Sequence, residues 1–227
     1  MTNNKRIAAV KNSAICTERG EAEGIKAIIF DLGNVLIDFD HKIAAQRMSR
    51  FTDKTSEEMY GLFFDSELTG LFEEGKIAPS KFFSQVKEML NLKLDYDEFV
   101  RIWDEIFFLT EKNIKVYHLA QRLKGRYKTA LLSNINILHF EYIKKKFPVF
   151  DPFHHIVTSF EVGVRKPHPL IYQKTLNILG VPAGSVFYTD DRPELIEGAR
   201  ALGIKGVTFS GVKQLEEDFL RAGIKIN

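Results

Sequence analysis

The sequence predicts an α/β fold: a parallel sheet with helices on both faces, interrupted near its start by a purely helical stretch. Three observations carry this prediction. Apolar runs of strand length stand at 26–30, 128–133, 155–159, 185–190 and 205–209. Helical patterns near 113–124, 138–147, 169–179, 193–202 and 212–222 alternate with the later runs, as in a sheet built from parallel crossovers. Between about His41 and Thr110 there is no clear buried strand run. Phe51, Met59, Leu62, Phe63, Phe64, Leu71, Phe72, Phe82, Phe83, Val86, Met89, Leu90, Phe99, Ile102, Trp103, Ile106 and Phe107 recur there at three- and four-residue intervals, the spacing of a helical bundle. With 227 residues, 44% hydrophobic and 27% charged, the chain can bury a sizeable core.

Taken in order, residues 1–24 read as a polar extension with a weak helical pattern in Ile7-Ala8-Ala9-Val10: a disordered arm, a short docking helix or a misassigned translation start. They lack the continuous apolar core of a secretory signal, and no stretch approaches membrane-spanning length. Cys16 is the single cysteine and cannot form an internal disulfide, so a cytoplasmic protein is expected. The first strand run, Lys26-Ala27-Ile28-Ile29-Phe30, closes at Asp31 and turns through Leu32-Gly33-Asn34-Val35-Leu36. In the helical stretch, 41–110, Pro79 and Ser80 open a helix after the Glu74-Gly75-Lys76 turn, and Asp95 with Glu98 has the pattern of a capping box. Two short hinges, at 36–41 and 108–113, are expected to join this stretch to an α/β core of 25–40 and 111–227. Within that core Gly125, Gly180 and Gly203 each follow a helical pattern as a C-terminal cap would. Lys144-Lys145-Lys146 falls at a helix end, where cations suit the dipole. The 32 basic and 30 acidic residues leave a net charge of +2, which gives no broad electrostatic reason to expect nucleic acid or an anionic membrane as a partner.

Open α/β sheets bind ligands at the C-terminal ends of their strands. Asp31 stands at such an end. Ser133-Asn134 follows Thr129-Ala130-Leu131-Leu132, Asp190-Asp191 follows Val186-Phe187-Tyr188-Thr189, and Arg165-Lys166-Pro167 supplies a cation between them. Singly, each has an ordinary reading as a cap, a loop stabiliser or a surface cation. Jointly, in this order and strand context, they read as one site. His154-His155 has no third ligand at zinc-like spacing and is read as structural. Trp103 and the phenylalanines are read mainly as core, with one or two aromatics or the Glu73-Glu74-Gly75 turn as candidates to face a substrate. Arg192 and Glu194 are assigned supporting or capping roles, and Asn34 is expected to bond its own backbone in the turn.

This ordered set resembles the haloacid dehalogenase (HAD) superfamily over roughly residues 25–210. The resemblance implies a Rossmann-like core with a helical cap inserted between the first and second motifs. It also implies a magnesium-dependent phosphatase acting on a small phosphorylated metabolite through an aspartyl-phosphate. Asp31 would be the nucleophile, Ser133 and Asn134 would bind the phosphoryl group, and Lys166 would neutralise it. Asp31, the Gly33 carbonyl and Asp190 would hold Mg2+, with Asp191 acting directly, through water or by orienting Lys166.

The segment Asp-Leu-Gly-Asn-Val looks like the branch that includes sugar-1-phosphate phosphatases. The family's usual second Asp, a general acid and base two residues after the nucleophile, is here Gly33. A positioned acid or base contributes about 10²–10⁴-fold to a rate, so the expected substrate has an acidic leaving group such as an anomeric hydroxyl, unless another group or water donates the proton. Asp38 and Asp40 lie nearby but are not assigned that proton. Two other readings stand beside this one. A phosphometabolite-binding regulatory protein would keep the pocket with little turnover. A 2-haloacid dehalogenase would use the Asp nucleophile, but Asp190-Asp191 argues against displacement at an uncharged carbon, which needs no metal.

Overall fold

A computed structural model describes residues 24–60 and 66–226. Residues 1–23, with Cys16, and Leu62, Phe63 and Phe64 of the helical stretch lie outside the described residues. The sheet has five parallel strands in the order β5-β4-β1-β6-β7. These are β1 (Ala27–Phe30), β4 (Lys128–Ser133), β5 (His155–Thr158), β6 (Val186–Asp190) and β7 (Lys205–Thr208). Every side chain of β1 is buried, which is why the strand reads as a continuous apolar run rather than an alternating one.

Alternate residues of that run serve different layers. Ile28 and Phe30 join Leu131 and Phe187 beneath α6 (Glu111–Lys124), α7 (Ile137–Lys146) and α11 (Val212–Arg221). Ala27 and Ile29 join Ala130, Leu132 and Tyr188 against α9 (Pro169–Leu179) and α10 (Pro193–Arg200). The register fixes where the site lies. Phe30 pairs with Leu131 on one side and with Thr189 on the other, so Asp31, Ser133 and Asp190 emerge at the same edge of the sheet. There the chain path diverges, towards β4 and β5 on one side and β6 and β7 on the other, which makes this edge a topological switch point.

The helices α1 (His41–Met48), α2 (Ser56–Met59), α3 (Glu67–Glu73), α4 (Pro79–Met89) and α5 (Tyr96–Asp104) gather round a separate apolar cluster containing Met48, Phe72, Phe82, Val86, Phe99 and Trp103. Pro79 opens α4 as expected. Asp95 accepts the Glu98 N–H at 2.9 Å, but Glu98 turns its carboxylate to Arg101, 3.7 Å away, so only half of the expected capping box forms. Gly180 and Gly203 take the left-handed conformation expected of C-terminal caps, at φ 62° and 84°. Gly125 does not. Its φ of −75° is right-handed, a conformation open to any residue.

The hinges are more ordered than the sequence suggested. β2 (Asp38–Phe39) pairs antiparallel with β3 (Phe107–Phe108), forming a ribbon where the chain leaves and re-enters the core. Two-residue strands are too short to show an alternation, which explains why the pattern did not reveal them. Asp38 secures the ribbon by accepting from Lys112 Nζ at 2.6 Å, Asn113 Nδ2 at 3.1 Å and Thr110 Oγ1 at 3.1 Å. Asp40 caps α1 through the Lys42 N–H. Both acids near the nucleophile loop are therefore committed to structure.

Candidate active site

Three strand ends and one loop build the site. Asp31 leaves β1 with its N–H bonded to Thr189 O at 3.0 Å, which ties it to β6. Lys166 arrives on the loop between α8 (Ser159–Val162) and α9, its side chain 1% exposed. Its ammonium contacts Asp31 Oδ1 at 2.7 Å, Asp190 Oδ2 at 2.6 Å, Leu132 O at 3.0 Å and Tyr188 Oη at 3.2 Å. An ammonium has three protons, so its donors are fully used. Tyr188 in turn donates to Asp190 Oδ2, and the other Asp190 oxygen accepts the Arg192 N–H at 2.9 Å. Asp190 is thus held at both oxygens.

The remaining predicted residues meet the same centre in different ways. Asp31, Asp190 and Asp191 each offer an oxygen, and these oxygens lie within 4.8 Å of one another. Asp191 does not touch Lys166. It is oriented by Asn34, whose Nδ2 donates to Asp191 Oδ2 at 2.9 Å. Asn34 therefore reaches across to β6 instead of bonding its own backbone, and its φ of 55° sets that direction. Lys112 Nζ holds the Asn34 carbonyl at 2.8 Å.

Asn134 also has a positioning contact that the sequence did not suggest. Its side chain grips the Lys166 main chain twice, donating to Lys166 O at 3.0 Å and accepting from Lys166 N at 2.7 Å. The amide oxygen and one amide N–H are engaged there, which leaves the second Nδ2 proton and the main chain for a phosphoryl contact. Ser133 Oγ is less committed, reaching only Asn134 O at 3.5 Å, at the limit of hydrogen-bond range. Gly33 lies in right-handed or extended backbone, and close packing explains it: a Cβ there would stand 2.8 Å from the Phe39 ring. The ring occupies the space that a side chain at this position would need. Arg192 pairs with Glu194 at the exposed start of α10, and His154 accepts from the Thr129 N–H, a structural role.

Tyr188 was missed by the sequence reading. A signal existed: residues two apart on a strand share a face, so Tyr188 projects on the same side as Asp190. In a buried strand, however, a tyrosine reads as core.

The electrostatics define what the site can hold. Burial pushes the Asp31 carboxyl up, Lys166 opposes this, and Asp190 and Asp191 push it further, leaving a net rise. Burial also raises Asp191, against the Asn34 hydrogen bond. Burial alone would lower the Lys166 ammonium, but Asp31 and Asp190 outweigh it and hold it above its usual value. Three carboxylates thus face one cation, and their surplus of negative charge is what a second cation relieves. The donors are all oxygens, the set that hard divalent ions such as magnesium prefer over nitrogen or sulfur.

The chain belongs to the haloacid dehalogenase-like hydrolases, whose family profile matches residues 25–203. Among its relatives, the D-ribitol-5-phosphate phosphatase of Bacteroides thetaiotaomicron is 24% identical over 80% of this chain and 90% of its own length. A structure from the same organism, an HAD family enzyme crystallised as an Asp-to-Ala variant with magnesium and inorganic phosphate, superposes with a TM-score of 0.70. It is 26% identical to this chain, covering 82% of it and 94% of its own length. The drimenol cyclase of Aspergillus calidoustus is 26% identical over 82% of this chain, which spans only 34% of that larger protein.

Proposed function

We propose that the chain is a magnesium-dependent phosphatase of small phosphorylated metabolites, with Asp31 as its nucleophile. The observation that carries this reading is the arrangement of Asp31, Asp190 and Asp191 around one buried lysine, in a chain of this hydrolase family. Magnesium held by Asp31, Asp190 and Asp191, with the Gly33 carbonyl, would screen the charge of an anionic substrate and of the phosphoryl group in flight. An Asp31 oxygen forms a bond to phosphorus while the bond from phosphorus to the leaving oxygen breaks, and the alcohol takes up a proton. Water then attacks the aspartyl-phosphate, releasing inorganic phosphate and restoring the carboxylate. Lys166 orients Asp31 and favours its carboxylate form against the effect of burial, and Ser133 Oγ is available to a phosphoryl oxygen.

We assign the helical stretch 41–110 the role of a cap that reads the rest of the substrate, since the core residues address only the phosphoryl group. Gly33 and the Phe39 ring leave the usual position of a general acid without a carboxylate, which favours a leaving group that needs little protonation, as in a sugar 1-phosphate. The relative that acts on D-ribitol 5-phosphate releases an ordinary primary alcohol, so the two ester classes are the informative pair. Phosphate release should be measured across sugar 1-phosphates and polyol or sugar phosphates of primary alcohols, with and without Mg2+. Release confined to the magnesium samples is expected, fastest for the 1-phosphates. Absence of release from the whole panel, or release indifferent to chelator, overturns the assignment.

A further inference from the structure

The turn that ends α3 lies against both loops that carry the phosphoryl-handling residues. Arg165, the neighbour of Lys166, places Nη1 3.1 Å from Glu73 Oε2 and Nε 3.7 Å from Glu74 Oε1. The Glu73 carbonyl accepts from Ser159 Oγ at 2.6 Å. Ser159 Oγ also receives the N–H of Ile135, which directly follows Ser133 and Asn134, at 3.0 Å. Asn134 closes the circuit through its two bonds to the Lys166 main chain. One turn of the helical stretch is thus bonded to the loop of Ser133 and Asn134 through Ser159 and to the loop of Lys166 through Arg165.

Two glycines permit this approach. A Cβ on Gly70 would come within 2.6 Å of the Arg165 guanidinium, and one on Gly75, at φ 66°, within 2.3 Å of the Phe160 carbonyl oxygen. At Gly75 the main-chain oxygen excludes a methyl group, whereas a methyl group at Gly70 would push the Arg165 guanidinium out of its present place. Burial pushes the Glu73 carboxyl up against the pull of Arg165.

We propose that Arg165 is a positioning residue: by gripping Glu73 and Glu74 it couples the seating of this turn to the placement of Lys166, so that the phosphoryl site is fully assembled only while the turn is docked. The proposal rests on the phosphatase reading for its catalytic consequence and on geometry alone for the coupling. Its signature is kinetic. The Arg165 side chain is 42% exposed, and an ion pair so open to water contributes little to global stability.

The test uses the full chain with Arg165→Ala, Arg165→Lys, Glu73→Ala and the Arg165→Ala/Glu73→Ala double variant. Turnover of p-nitrophenyl phosphate with Mg2+ and amide hydrogen exchange are the two readouts. Arg165→Ala is expected to lower kcat about 10-fold or more with a smaller change in KM, Arg165→Lys to restore part of it, and the double variant to be no worse than the poorer single one. Exchange should quicken together at 70–76 and 159–166 in Arg165→Ala, by about 5-fold or more, while the sheet strands stay protected. Multiplying single effects, a loss confined to KM, or unchanged exchange at 70–76 overturns the proposal. If the unmodified protein releases no phosphate, the phosphatase reading fails by itself, and the exchange pattern still decides the coupling.

Discussion

At the scale of single residues, the site is a balance of three carboxylates against one buried ammonium. Asp31→Asn removes the nucleophile, because an amide does not attack phosphorus, and turnover should fall by on the order of 10³-fold or more. The variant should remain folded, since Lys166 keeps Asp190, Leu132 O and Tyr188 as partners. Steady-state phosphate release and a thermal melt together check this, and near-normal activity would remove Asp31 from its role. Gly33 carries the second prediction. Gly33→Asp alone should cost about 1–2 kcal/mol, because its Cβ presses on the Phe39 ring, and it should leave the dependence of rate on leaving-group acidity unchanged. Gly33→Asp with Phe39→Leu opens the space and should flatten that dependence across a series of aryl phosphates. A flat dependence in the unmodified protein would mean that another group already donates the proton. The positions of Asp31, Asp190 and Asp191 could be read from the sequence because charge at a strand end is conspicuous, and that of Lys166 because a cation stands between those ends in chain order. The work of Tyr188, Asn34 and Arg165 could not, since each depends on a partner brought near only by folding.

At the scale of elements, the five core strands were readable because burial on both faces turns each into an apolar run, and their helices because the period shifts between runs. The β2–β3 ribbon was not. Its two residues per strand carry no period, and Asp38, which secures it, reads in sequence as one of several acids near the nucleophile. Its neighbours hold it ionised: hydrogen bonds from Lys112 and Asn113 lower the Asp38 carboxyl against the opposing effect of burial. A carboxyl lowered on folding contributes stability that is present above its unfolded value, near 3.8, and is lost as the pH falls through the folded one. Asp38→Ala should therefore cost about 1 kcal/mol at pH 7, modest because Lys112 is 35% exposed, and this deficit should shrink towards pH 3. Chemical denaturation at the two pH values tests it, and an equal deficit at both would place the contribution of Asp38 in packing rather than charge.

At the scale of the whole molecule, two apolar clusters meet along α5 and α7, and the seam between them contains buried titratable groups. Trp103 of α5 stacks on His139 of α7 with ring centroids 4.7 Å apart, and the His41 ring lies beside the pair, 6.3 and 6.5 Å from the two centroids. His139 Nε2 donates to Trp103 O at 3.1 Å. Asn136 Oδ1 is taken by the His139 N–H, so its amide faces His139 Nδ1, which must accept. The imidazole is therefore neutral, and burial together with nearby His41 pushes it down to about 3. Asp104 Oδ1 lies 4.0 Å from His139 Nε2 with no hydrogen-bond partner of its own, and burial, with Glu105 adding, pushes its carboxyl up to about 7. The two groups act in opposite directions. A raised carboxyl means that the folded chain holds a proton the unfolded chain has released, so Asp104 reduces stability as the pH rises from about 4 to about 7. A lowered imidazole means that the unfolded chain binds the extra proton, so His139 reduces stability as the pH falls from about 6.5 to about 3. Across that shared window the two slopes oppose each other. Asp104→Asn removes the first of these slopes. The variant should match the unmodified protein near pH 4 and exceed it by on the order of 2–4 kcal/mol at pH 8, the gap opening between about pH 4 and 7. Urea unfolding at half-unit intervals from pH 4 to 8 reads both curves, and parallel curves would show that Asp104 is ionised in the fold throughout.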